Sequence, residues 1–115
     1  MLNLSMHHQM KLQSEPFNQI RSGTKTVEVR LFDEKRQKIA IGDTIAFSHI
    51  DDTTNIIETE VINLARFNSF ADLFGAYDPK TYGAKSAEDY FSMYQYYSKE
   101  DEEKYGVLAI HLQVV

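Results

Sequence analysis

Hydrophobic and polar positions alternate over several stretches of the chain in the manner of half-buried strands. Residues 6–13 can form a first strand. From Lys25 onward, Val27, Val29 and Leu31 fall on one side of an extended segment and Thr26, Glu28 and Arg30 on the other. Successive strand side chains point to opposite faces, and same-face neighbours recur about every 6.6 Å. Further on, Ile45 and Phe47 alternate with Thr44, Ala46 and Ser48, and Ile56 to Leu64 reads as the returning strand, with Glu58 and Glu60 interrupting its apolar run. Asp51-Asp52-Thr53-Thr54-Asn55 between them has the composition of a hairpin turn. Val107 to Val115 is a closing strand with Leu108, Ile110, Leu112 and Val114 on one face.

Helical signals sit between these strands. Ser14-Glu15-Pro16 reads as a helix start: a hydroxyl cap, a first-turn acid, and a proline where no amide donor is needed. Phe17 and Ile20 would face inward and Gly23 would end the helix in a left-handed conformation. Ser69, Ser86 and Ser98 each precede an acid by three residues, a capping-box variant with aspartate. The acidic run Glu100 to Glu103 then reads as first-turn charge favoured by a helix dipole, and Gly106 as the helix stop. Five or six mostly antiparallel strands, short peripheral helices and no βαβ rhythm predict an α+β protein built on a small β-barrel. At 115 residues, a single domain over residues 1–115 is expected.

Composition narrows the chemistry. The chain has no cysteine, which excludes disulfides, thiolate metal sites and a cysteine nucleophile. His7, His8, His49 and His111 lack ligand spacing, so neither metal nor cofactor is expected. Met1 to Ser5 lacks the features of a signal peptide and no apolar run approaches the roughly 20 residues of a membrane span, so a cytoplasmic protein with no membrane partner is expected. The net charge of −5 argues against duplex DNA. It is unevenly distributed: residues 1–48 carry seven lysines and arginines against five acids, and residues 49–115 carry five against twelve. The positive excess lies between Arg21 and Lys38, a patch sized for a small anion or a single phosphate beside a base.

That patch holds the most informative segment, Gly23-Thr24-Lys25-Thr26-Val27-Glu28-Val29-Arg30, which places three charges on one short strand. Glu28 and Arg30 are near enough to pair, with Lys25 at the mouth of whatever cleft the strand lines. Read alone, the segment favours a half-exposed strand with a polar face and an ordinary surface ion pair over a site. Together with Gly42-Asp43 before the next strand, Pro16, Phe17 and Ile20 on the preceding helix, and Tyr96-Tyr97-Ser98 and Tyr105-Gly106-Val107 near the end, the segment resembles the ASCH (activating signal cointegrator homology) family of the PUA-like superfamily. The resemblance extends over nearly the whole chain and implies a PUA-like pseudobarrel associated with RNA.

The resemblance carries Lys25, Glu28 and Arg30 into a ligand cleft. Lys25 and Arg30 would meet phosphate or carbonyl oxygens and Glu28 would accept a base donor. All seven tyrosines fall between residues 77 and 105, and Tyr90, Met93, Tyr94 and Tyr97 mark one helical face. Such a stripe is ordinarily core packing, but tyrosines also collect at core edges where a base can stack, and Tyr97 is the preferred stacking or hydrogen-bonding residue. Lys35 and Arg36 either solvate their loop or contact phosphate; Asp43 stabilises its turn. Single-stranded RNA or a modified nucleoside or nucleotide is the expected partner. Some small ASCH proteins remove the acetyl group of N4-acetylcytidine, and by that resemblance Lys25, with Glu28, would be catalytic if the chain is an amidohydrolase. Here Glu28 stands where those enzymes have threonine. A carboxylate beside a lysine favours the ammonium form, which opposes lysine as a base, and binding ranks above hydrolysis.

Overall fold

A computed structural model of the chain describes residues 5–115. Five strands form one mixed sheet: β1 (His7–Leu12), β2 (Val27–Leu31), β3 (Thr44–His49), β4 (Asp52–Phe67) and β5 (Val107–Val114), in the order β1-β3-β4-β5-β2. Only the β1–β3 pair is parallel. The sheet curls into a half-barrel, the α+β PUA-like architecture expected from the sequence. Three α-helices, α1 (Ser14–Ser22), α2 (Phe70–Ala76) and α3 (Lys99–Tyr105), and 3-10 segments over Arg36–Lys38, Pro79–Tyr82 and Ala87–Gln95 lie around it.

Strand alternation produces two cores on opposite faces of the sheet. Leu108, Ile110 and Leu112 point to the inner face with Ile45, Phe47 and Val61, covered by Phe17 and Ile20 of α1. Val107 and Ala109 point to the outer face with Val27, Val29 and Leu31, where Phe70, Leu73 and Phe74 of α2 pack on them. Tyr90, Met93, Tyr94 and Tyr97 pack at the margin of this second core. Both faces of β2 are therefore covered, and Glu28 sits within the molecule at 3% exposure.

β1 and β2 are the two edges of the sheet and do not pair with each other. Thr44 N–H donates to Met6 O and Ile50 N–H to Leu12 O, so the even-numbered carbonyls of β1 face β3 and the odd-numbered ones face the open side. Two of these are met by cationic side chains: Arg30 Nη2 donates to Lys11 O at 3.0 Å and Lys35 Nζ to Gln9 O at 3.1 Å. Side chains thus stitch a seam where a closed barrel would have a backbone ladder. Asp43 anchors β1 from the other side. Its buried carboxylate accepts from Met6 N–H and Ala40 N–H, both at 2.9 Å, and lies 2.8 Å from His8 Nε2. Burial alone would raise its pKa, but these donors outweigh it and hold the group below the usual aspartate value. The residue therefore does more than shape the turn at Gly42.

Several local expectations need correction. Gln13, with extended backbone and no side-chain cap bond, stands at the N-cap of α1; Ser14 is already helical, because the chain leaves β1 at Leu12 with one residue to spare. The turn expected over residues 51–55 is shorter: β4 begins at Asp52, and β-branched Thr53 and Thr54 continue the strand. Ser69 and Ser98 cap as expected, accepting from Asp72 N–H and Asp101 N–H at 3.0 Å, while the Asp89 carboxylate accepts from Ser86 N–H at 3.1 Å.

Glu102 departs from the reading of its acidic run. It is buried, and its two carboxylate oxygens accept from Phe70 N–H at 2.7 Å and Tyr94 Oη at 2.8 Å, tying α3 to α2 and the 3-10 segment. Truncating it strands a buried amide donor and a half-buried phenol, with a buried unpaired donor costing about 1–3 kcal/mol. Glu102→Ala is expected to lower unfolding stability in urea by ~2–4 kcal/mol, whereas the exposed neighbour change Glu103→Ala should stay within ~0.5 kcal/mol. Equal effects would remove this tie.

Candidate ligand-binding cleft

The start of β2 is held by the end of α1. Gly23, at φ 83°, ends the helix in the left-handed region. Gly23 N–H then donates to Ile20 O, and Thr24 and Lys25 N–H both donate to Gln19 O. The backbone of Lys25 is thus fixed against the helix before the strand begins. Thr26 N–H donates to Thr81 O at 2.8 Å, which pins the loop around the Pro79–Tyr82 segment against the same corner. That loop approaches closely because Gly83, at φ 86°, has no side chain: a Cβ there would lie 2.5 Å from Gln19 Oε1 and 3.2 Å from Lys25 Cδ.

Between these walls Glu28 bridges two cations. Lys25 Nζ lies 2.8 Å from Glu28 Oε1, and Arg30 donates to Glu28 Oε2 through Nε at 2.8 Å, with Nη2 at the same distance. Lys25 is 9% exposed. Burial is the strongest influence on the Glu28 carboxyl and by itself would raise its pKa. The charges and hydrogen bonds of Lys25 and Arg30 together exceed it and hold the group down to about 2. Glu28 raises the pKa of the Arg30 guanidinium, against the opposing effect of burial. With both oxygens engaged, Glu28 positions Lys25 and Arg30.

The three side chains line a cleft of about 900 Å³ that follows the seam. Lys11, Leu12 and Gln13 form one wall; Tyr82, Gly83 and Ala84 form another. Five cationic side chains, Lys11, Lys25, Arg30, Arg36 and Lys85, and three anionic ones, Glu15, Glu28 and Asp89, face it, in a chain whose net charge is −5. Tyr97 lines the cleft and stacks on Phe70, with ring centroids 5.5 Å apart. Burial pushes its phenol pKa up, so it is a neutral donor at ordinary pH.

Arg36 also lines the cleft; its Nη1 pairs with Asp33 Oδ2 at 2.9 Å, and its Nε is a buried donor with no partner. Lys35 does not line the cleft and serves the seam through Gln9 O. Its pKa is lowered, first by burial and then by Arg36 and Arg30. The structure therefore brings Lys25, Glu28, Arg30, Arg36 and Tyr97 together and leaves Lys35 apart. Sequence reasoning missed the β1 wall and the Gly83 loop. The glycine following Tyr82 was a usable turn signal, but its approach to Lys25 is a tertiary fact. Among the described residues, no group of three or more histidine or acidic side chains is arranged to hold a metal ion.

The depressed Glu28 pKa has a pH consequence. A carboxylate titrating near 2 in the folded protein and near 4.5 when unfolded contributes stability that is full above about pH 4.5 and is lost as pH falls toward 2. Over that window the stability of the wild type should fall by ~3 kcal/mol more than that of Glu28→Gln, measured by denaturant unfolding at each pH. Parallel pH profiles would show that Glu28 does not titrate this way.

The ASCH domain family model matches residues 10–115. The crystal structure of the hypothetical protein PH0355 is 33% identical in sequence and superposes with a TM-score of 0.86, the match covering 96% of this chain and 100% of that one. The solution structure of protein PF0455 from Pyrococcus furiosus is 31% identical, with a TM-score of 0.72 and coverage of 96% and 98%. A crystallised variant of ZmASCH from Zymomonas mobilis shares the fold at 17% identity and a TM-score of 0.66, over 91% of this chain and 66% of that one. No curated protein matches the chain. With a family model spanning the strands, the seam and the cleft, the chain belongs to the ASCH domain family.

Proposed function

We propose that the seam cleft is a nucleotide-binding site of an RNA-associated domain. The observation that carries this reading is the buried Lys25–Glu28–Arg30 bridge facing a cleft of net positive charge in an acidic protein. Lys25 and Arg30, held by Glu28, meet phosphate or carbonyl oxygens of the ligand. Arg36, which lines the same cleft, supplies a further cation for a second oxygen. Tyr97 supplies a phenolic donor and an aromatic surface beside a base. The ligand class is a nucleoside monophosphate or short single-stranded RNA. The net charge of the remaining surface disfavours a long duplex backbone.

Hydrolysis of N4-acetylcytidine ranks second. As placed, Lys25 donates to a carboxylate at 2.8 Å, and an ammonium so engaged has no lone pair with which to activate water. Binding of ribonucleoside monophosphates measured by calorimetry at fixed salt tests the reading. Lys25→Ala should weaken the interaction by ~1.5–3 kcal/mol, the loss of one charge-assisted hydrogen bond, and wild-type protein incubated with N4-acetylcytidine should release no acetate. Undiminished binding by Lys25→Ala, or Lys25-dependent acetate release, would reverse the ranking.

A further inference from the structure

The free edge of β2 carries unpaired backbone groups. Register alone identifies them. Phe32 N–H donates to Gly106 O, and Leu112 N–H donates to Thr26 O. Both bonds fit the register in which Glu28 faces Ile110 and Arg30 faces Leu108. In an antiparallel pair, hydrogen-bonded and non-hydrogen-bonded residues alternate. The even-numbered residues of β2 therefore spend their amides and carbonyls on β5. Those of Val27, Val29 and Leu31 point to the other side, where, among the described residues, no strand pairs with β2. Of these three residues only Val29 lines the cleft.

Resting on the nucleotide reading of the cleft, we propose that the backbone N–H and C=O of Val29 read the hydrogen-bonding edge of the bound base. One strand residue offers a donor and an acceptor side by side in the plane of the sheet, fixed by the ladder behind it. This matches a base edge on which a ring nitrogen and its neighbouring exocyclic group form an acceptor–donor pair. Lys25 and Arg30, which line the same cleft, supply charge but little discrimination between bases. A fixed backbone pair discriminates, because a base with a blocked edge leaves both groups unpaired. The side chain of Val29 is committed to the outer core, so the selectivity lies in the backbone.

Amide hydrogen exchange followed by nuclear magnetic resonance tests the premise without ligand. The Val29 amide should exchange at least tenfold faster than those of Glu28 and Arg30, which are bonded to β5. The four ribonucleoside 5′-monophosphates are then titrated. The tightest should slow exchange at Val29 and shift its amide resonance, and its counterpart methylated on the ring nitrogen of the base edge should bind about 3- to 10-fold more weakly. Equal protection of all three amides in the free protein overturns the proposal. So does a monophosphate that binds without altering the Val29 amide, or that binds equally well when methylated; either result leaves the nucleotide-binding reading standing. Failure of every monophosphate to bind overturns both.

Discussion

The fold turns on a sheet that stops short of closing. A full barrel would pair β1 with β2 and satisfy every edge amide and carbonyl through a ladder. Here the two edges face each other across a seam, and the strand groups on that side depend on side chains. Arg30 and Lys35 supply donors to two carbonyls of β1. Arg30 can do so because Glu28 fixes its guanidinium, and the same carboxylate fixes Lys25. One buried acid therefore organises both the closure of the half-barrel and the charge lining its cleft.

Stability alone does not explain this arrangement. Replacing a buried ion pair by well-packed apolar groups is often neutral or stabilising by about 1–4 kcal/mol, and the opposite face of the same strand already carries Val27, Val29 and Leu31 in that style. Charge at this position keeps an opening in a core that aliphatic side chains could have filled. The neighbouring elements maintain the opening: α1 fixes the backbone of Lys25, and Gly83 lets the opposite loop approach without a side chain that would clash with it. Asp43 holds β1 in place from the side away from the seam. The site is thus built on strand and helix backbone, which limits how far its charges can move.

Much of this was legible in the sequence, for reasons that can be traced. Alternation identified β2 and β5, because each strand has distinct faces, and the glycine after Arg21-Ser22 marked the end of α1. The charges at residues 25, 28 and 30 stood out because a buried strand has few reasons to hold them. What sequence could not reveal was depth and partnership. Glu102 and Glu103 look alike in an acidic run, yet only the former meets Phe70 N–H and Tyr94 Oη. Lys35 and Arg36 are adjacent, yet the first reaches across to β1 and the second lines the cleft. Such differences arise from packing between elements distant in sequence, as does the wall contributed by Lys11 to Gln13.

The central claim is that the unclosed seam is the place where ligand enters. A crystal structure of the protein with a bound ribonucleoside 5′-monophosphate tests it directly. The account predicts the nucleotide between β1 and β2, with its oxygens on Lys25 and Arg30 while the Glu28 bridge remains intact. A nucleotide seated elsewhere on the surface, with the seam cleft unchanged, would contradict it.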